Sequence, residues 1–194
     1  MTIIYFVRHG QTDWNAEGRL QGQEDTSLND IGRSQATRNG ERLAELITEP
    51  GDFDFVASPL WRTRETMERL RNAMGLDPAA YRTDARLLEV HFGTWQGHTF
   101  PELEKVDAGC FARREQDKWH FIPPGDNAES YDMLASRVKT WLDQASPRTV
   151  CVAHGGVLRA IFRLTETLSP VECAALSIPQ DRVLRFVDGK LNWL

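Results

Sequence analysis

Ile3-Ile4-Tyr5-Phe6-Val7-Arg8-His9-Gly10-Gln11-Thr12 is an apolar run that ends at once in a cation, an imidazole and a glycine. A buried strand that empties into Arg-His-Gly carries those groups to one edge of a sheet, the edge at which open α/β sheets bind their ligands. Thr149-Val150-Cys151-Val152-Ala153 repeats the arrangement far along the chain and runs into His154-Gly155-Gly156. Two histidines at strand ends, one beside an arginine, predict a site that grips a phosphate and does chemistry on it.

Working outward, the pattern alternates strand and helix, the mark of an α/β domain with a largely parallel sheet. Residues 14–27 are polar and glycine-bearing and read as a loop over the sheet edge. A helix is expected from Asn29, as N-cap, to about Ile47, with Gly32, Ala36, Gly40 and Leu43 as a small-residue stripe that packs closely. Residues 53–57 form a second strand. Ser58-Pro59 then reads as the N-cap and first residue of a helix whose buried face carries Leu60, Met67, Leu70 and Met74. A short strand is expected at 81–83 and a better one at Leu87-Leu88-Glu89-Val90. Residues 93–127 are irregular, with Pro101, Pro123, Pro124 and Gly125 as breakers, and are expected to form short helices in an excursion that covers the substrate. Tyr131, Leu134, Ala135, Val138, Trp141 and Leu142 have helical spacing, as do Val157, Leu158, Ile161 and Leu164. The tail, 175–178 and 183–187 around Pro179-Gln180-Asp181, reads as an antiparallel hairpin.

Composition narrows the function classes. The 194 residues fit one domain spanning 1–194, without a linker, repeat or low-complexity tract. A net charge of -5 argues against a nucleic-acid or general polyanion binder, so any anion site is a local cluster of arginines. Cys110, Cys151 and Cys173 form no C-x-x-C pair and suit a reducing compartment. No apolar run is long enough to span a bilayer, and no leader pattern precedes the first strand. The expectation is a soluble cytoplasmic protein without membrane partners, for which a homodimer stays open.

The candidate chemistry gathers around His9. Arg8 supplies a permanent charge suited to phosphate oxygens, and Gly10 lets the backbone approach an anion. Arg62 falls in the first turn of a helix, a poor place for a cation unless an anion sits in front of it. Arg64, Arg69 and Arg71 read instead as solvated. No H-x-x-x-H, H-E-x-x-H, Cys/His ligand spacing or P-loop occurs. His91, His98 and His120 read as ordinary polar residues or rim contacts.

Five ordered blocks carry a resemblance: Arg8-His9-Gly10-Gln11-Thr12 with Asn15; Leu28-Asn29-Asp30-Ile31-Gly32 with Gln35-Ala36; Ser58-Pro59-Leu60-Trp61-Arg62-Thr63 with Glu65-Thr66; Leu88-Glu89 with Phe92-Gly93-Thr94-Trp95-Gln96-Gly97; and His154-Gly155-Gly156. In them the chain resembles the histidine phosphatase superfamily, in the branch that contains the cofactor-dependent phosphoglycerate mutases. The resemblance implies a three-layer α/β/α sandwich around a mostly parallel mixed sheet. It also implies a small phosphorylated substrate and a phosphohistidine mechanism with no metal or other cofactor. By position, His9 is then the nucleophile, and Arg8, Arg62 and His154 hold the phosphoryl oxygens. Asn15 and backbone amides near Gly156 add neutral donors. Glu89 becomes the general acid, which must hold a proton near neutrality, with Glu102 and Glu104 as fallback donors.

Phosphatase and mutase share the phosphohistidine and differ in its acceptor. The glycolytic mutases carry an arginine after the donor glutamate and a tyrosine two positions further on; here Val90 and Phe92 stand there. The chain is also short for a mutase. Arg113-Arg114 resembles the paired arginines that hold mutase substrates, but its surroundings read better as the solvated face of a helix. Pro123-Pro124-Gly125 and Glu129-Ser130 resemble the Pro-Gly-Gly-Glu-Ser stretch of the small phosphatases, interrupted by Asn127-Ala128. Phe92, Trp95, Phe100, Phe111, Trp119 and Phe121 either face a bulky substrate or cap the site as core. The expectation is a metal-independent phosphomonoesterase, with a mutase and a non-catalytic phosphate-binding domain as alternatives.

Overall fold

The computed structural model describes residues 2–165 and 168–194. Its elements are β1 (Ile3–Arg8), α1 (Asp13–Ala16), α2 (Asp30–Leu46), β2 (Asp54–Ala57), α3 (Trp61–Ala73), β3 (Arg82–Thr83), α4 (Phe100–Val106), α5 (Cys110–Gln116), α6 (Tyr131–Leu142), β4 (Arg148–Ala153), α7 (Gly155–Thr165), α8 (Pro170–Ala175), β5 (Val183–Val187) and β6 (Lys190–Trp193). Among the described residues the strands form one sheet in the order β3-β2-β4-β1-β5-β6. β1 to β4 run parallel, β5 lies antiparallel to β1, and β6 antiparallel to β5.

The two-residue period of β1 sets the layers. Ile4 and Phe6 face one side, where they pack with Leu134 and Trp141 of α6 and Leu158 and Ile161 of α7. Tyr5 and Val7 face the other, against Leu43 of α2 and Met67 and Leu70 of α3. With both faces covered, the strand reads as a continuous apolar run, and the fold is the expected α/β/α sandwich around a mixed sheet. Burying one such side chain fully stabilises the fold by about 1.5–3 kcal/mol.

α2 starts as its sequence predicts. The Asn29 side chain accepts from the Gly32 amide, and Gly32, Ala36, Gly40 and Leu43 are buried. The small stripe is obligatory, because a Cβ on Gly32 would overlap the Gln11 backbone and one on Gly40 the Leu70 backbone. α6 likewise buries Tyr131, Leu134, Ala135, Val138 and Trp141, capped by the Ser130 side chain.

Four expectations give way. Ser58 is no N-cap: α3 begins at Trp61 after Leu60, without a side-chain cap, because the Ser58 hydroxyl is engaged with His154. Residues 87–90 form no strand. A 3-10 turn at Ala85–Leu87 ends there, and Leu87 and Val90 bury themselves in the core beside α6. The antiparallel hairpin of the tail is β5–β6, turning at Asp188-Gly189, while residues 170–175 are helical. The loop over 14–27 contains α1, whose capping box joins Thr12 and Asn15. The excursion 93–127 does consist of short helices, α4 and α5 and a 3-10 turn at Gly93–Trp95.

Candidate active site

β1 and β4 pair in register, ending at Arg8↔Ala153, and the His9 amide donates to the Ala153 carbonyl at 3.0 Å. The two strands therefore release His9 and His154 side by side, with ring centroids 5.2 Å apart. β2 pairs with β4 through Ala57↔Val152, which brings Ser58 to the same edge. There Ser58 Oγ lies 2.8 Å from His154 Nε2.

His9 is buried with Nδ1 2.8 Å from the Gly10 carbonyl. Nδ1 therefore carries the proton, and Nε2 is the free base. Burial, reinforced by the Arg62 and Arg8 charges, pushes its pKa well below 6.5. Burial does the same to His154, again with Arg62 and then His9 contributing. Both rings are neutral. His154 Nδ1 is buried without a hydrogen-bond partner, and the tautomer in which the Ser58 hydroxyl donates to Nε2 makes it a donor.

The two arginines are held from behind. Arg8 Nη1 donates to the Ile178 carbonyl at 2.7 Å. Arg62, fully buried, donates from Nη1 to Glu24 and from Nη2 to Gly22 carbonyls, both at 2.7 Å. Burial lowers each guanidinium to about 10, so both stay charged at neutrality. The Nε atoms of both are buried and unpartnered. Asn15 Oδ1 accepts from Thr12 and Gln180, which leaves its Nδ2 as the remaining donor.

Glu89 lies across from these groups. Its Oε1 accepts from the Val90 amide at 2.9 Å and its Oε2 from the Gly156 amide at 3.0 Å. The Gly156 amide is thus spoken for by Glu89, a different partner from the phosphate expected of it. Arg8, His9, Asn15, Arg62 and Glu89 line one cleft of about 300 Å³. A larger groove of about 700 Å³ lies at the opposite strand ends, around Ile3, Phe53 and Pro147, and holds none of this chemistry. Among the described residues no three His, Cys, Asp or Glu side chains group as metal ligands do.

The outer cleft corrects the sequence-based picture. Arg114 is buried, not on a solvated face, and it lines the cleft with Phe111, Glu115, Lys118 and Arg159. Arg113 is exposed and pairs with Asp107. Its helical spacing alone could not show which of the two arginines turns inward. The aromatics divide: Phe92, Phe100 and Phe111 line the cleft, whereas Trp95 and Trp119 are core and Phe121 stacks on Trp95. Arg71 is no solvated residue either; it is buried over the Phe55 ring and donates to the Asp77 carbonyl. Glu102 caps α4 and pairs with Arg19, and Glu104 accepts the Gly109 and Phe111 amides, so both fallback donors are occupied elsewhere. His91 accepts from the Gly93 amide, and His98 and His120 are exposed.

Fold and strand-end chemistry together define the class, an α/β phosphatase. The family model for the histidine phosphatase superfamily (branch 1) matches residues 4–187. The chain is 35% identical over 170 residues to the glucosyl-3-phosphoglycerate phosphatase of Mycobacterium tuberculosis, covering 81% of this chain and 72% of that one. It is 34% identical over 175 residues to a metal-independent phosphoserine phosphatase of Arabidopsis thaliana, covering 87% and 71%. Relatives described as probable phosphoglycerate mutases match as well. The solved native structure of the mycobacterial glucosyl-3-phosphoglycerate phosphatase superposes with a TM-score of 0.78 at 29% identity, covering 95% of this chain and 89% of that one. The chain belongs to the histidine phosphatase superfamily and is a phosphatase of small phosphate esters.

Proposed function

We propose that this chain hydrolyses its phosphomonoester through a phosphohistidine on His9, with Glu89 as proton donor and no metal. The carrying observation is the set of three buried, unpartnered donors around His9: Arg8 Nε, Arg62 Nε and His154 Nδ1. Each costs about 1–3 kcal/mol while it lacks an acceptor, which favours an oxyanion in front of them. His9 Nε2 attacks phosphorus as the bond to the leaving oxygen breaks, and Glu89 gives that oxygen its proton. Water then attacks phosphorus, returns a proton to Glu89 and expels His9. The guanidiniums neutralise the charge that a metal handles in other phosphatases, and His154 offers the oxyanion a neutral hydrogen bond. Asn15 adds a neutral donor.

The outer cleft supports a substrate with a second anionic group. Arg114, Lys118 and Arg159 converge there against one carboxylate, Glu115, and burial and the two arginines lower the Lys118 pKa. Glucosyl-3-phosphoglycerate and phosphoserine, the substrates in the relatives' names, both carry a carboxylate beside the phosphate. A mutase reading lacks support at two positions, since Val90 is buried in the core and Phe92 offers the cleft no polar group. Net charge and the three buried free cysteines support a cytoplasmic enzyme of small metabolites rather than of nucleic acid; among the described residues no helix is long and apolar enough to cross a membrane.

The test is turnover of p-nitrophenyl phosphate with chelator present, alongside His9→Ala, plus rapid-quench trapping of an acid-labile phosphoenzyme. Full activity in chelator and loss of both activity and phosphoenzyme in His9→Ala are expected. Turnover that survives His9→Ala overturns the nucleophile. Comparing 3-phosphoglycerate with glycerol 3-phosphate tests the second anion: equal kcat/KM for the two removes it.

A further inference from the structure

Arg137 and Glu129 take no part in the steps above, yet they hold the segment that carries Glu89. Arg137 spends its whole guanidinium on it. Nη1 donates to the Arg86 and Leu88 carbonyls at 2.8 and 2.6 Å, and Nη2 donates to the Glu89 carbonyl at 2.9 Å. Nε and Nη2 also grip the two oxygens of Glu129, at 2.8 and 2.9 Å. Glu129 completes the loop on the other side, where Oε2 accepts from the His91 amide at 3.1 Å and its own amide donates to the His91 carbonyl at 2.9 Å. The pair is mostly buried, its side chains 21% and 16% exposed.

This arrangement answers a backbone problem. Residues 88–91 belong to no strand and no helix, so their carbonyls have no ladder to satisfy them. A planar guanidinium with five fixed donors spans three carbonyls of one segment, which an ammonium group does not. Glu129 neutralises the charge and anchors the far end of the same segment. Glu89 itself is then fixed from both directions, by the clamp on its backbone and by the Gly156 amide on its carboxylate.

We propose that the Arg137–Glu129 pair positions Glu89 for proton transfer to the leaving oxygen, a role that rests on reading Glu89 as the donor. Proton transfer needs heavy atoms within about 2.6–3.2 Å, and a misplacement of about 1 Å costs on the order of 10²-fold. Arg137 is a positioning residue: its bonds go to Glu129 and to the backbone that holds the acid.

The experiment compares kcat/KM of the full chain across 2,4-dinitrophenyl, p-nitrophenyl, phenyl and alkyl phosphates, for wild type, Glu89→Gln, Arg137→Met, Arg137→Lys and Glu129→Gln. Dinitrophenolate departs without a proton and an alkoxide does not. Glu89→Gln is expected to lose about 10²-fold or more on the alkyl ester and far less on the dinitrophenyl ester. Arg137→Met is expected to show the same tilt at about tenfold or more, and Arg137→Lys a smaller one. A loss in Arg137→Met that is uniform across the series, or no loss, overturns the proposal, because fold stability alone does not sense the leaving group. Should Arg137→Met fail to fold, Glu129→Gln, which keeps the shape of the pair and removes its charge, decides by the same comparison. A flat series for Glu89→Gln overturns the donor assignment instead, so the two failures are distinguishable.

Discussion

Gly156 and Glu89 hold each other: the amide of the second residue of α7 donates to Glu89 Oε2 at 3.0 Å, and a Cβ on Gly156 would overlap Glu89 Oε1. The third residue after the last parallel strand thus sets the place of a carboxylate that enters the cleft from a loop. Glycine is required there by the close approach of the two groups.

Gly156→Ala is therefore expected to damage catalysis more than the fold. The atoms in the way are the ends of the Glu89 and Leu134 side chains and not backbone, which puts the cost toward the low end of the about 1–3 kcal/mol of overpacking. The carboxylate that swings is the proposed proton donor, so kcat/KM for an alkyl phosphate should fall by at least about tenfold. Thermal unfolding and steady-state kinetics on the same preparation check this; unchanged kinetics refutes it.

Gly32→Ala should do the reverse. Its Cβ meets backbone of Gln11, which cannot rotate away, and overpacking of this kind costs about 1–3 kcal/mol. The Tm should drop while residual activity per folded molecule remains near wild type, as measured by denaturant titration paired with active-site counting.

Acid should destabilise the chain through His9 and His154. Both have folded-state values well below 6.5, because burial disfavours the charged ring. Below about 6.5 the unfolded chain binds a proton at each that the folded chain refuses, so stability is full above that pH and falls as pH drops toward the folded values. Each contributes a slope of at most about 1.4 kcal/mol per pH unit. Chemical denaturation between pH 7.5 and 5 measures it, and His154→Gln should flatten the slope. A wild-type stability independent of pH over this range is incompatible with two buried neutral histidines.

Inorganic phosphate should stabilise the fold, since it supplies the acceptor that Arg8 Nε, Arg62 Nε and His154 Nδ1 lack. At a hundredfold excess over its Kd the gain is about 2.7 kcal/mol, worth about 5–10 °C in Tm for a chain of this size. Arg62→Met should remove most of the shift. A phosphate-independent Tm in the wild type would falsify the oxyanion pocket.

The strand-end site was legible because its residues are local to their strands. Arg8 and His9 follow Val7 directly, and His154 follows Ala153, so the apolar pattern that locates the strands also locates the histidines. What escaped notice depends on distant partners. Leu87-Leu88-Glu89-Val90 looks like a strand, but its carbonyls go to Arg137, about fifty residues away, and to Gln23. Ser58 carries a helix-capping side chain that His154 claims instead. Arg114 and Arg71 are buried through contacts made outside their own helices, which helical spacing does not record.

The in-register pairing of β1 with β4 divides the enzyme into parts of unequal permanence. His9 and His154 are appended to the most deeply covered strands, so they separate only when the molecule unfolds as a whole. The irregular segment of Glu89 is tied to the same core through Leu87 and Val90, whereas the excursion beyond it packs as its own small cluster around Trp95, Leu103 and Cys110. Amide exchange should resolve these as two cooperative units, one opening only globally and the other at lower cost. In mild denaturant the strand-end histidines would then outlast the outer cleft around Phe100, Phe111 and Arg114.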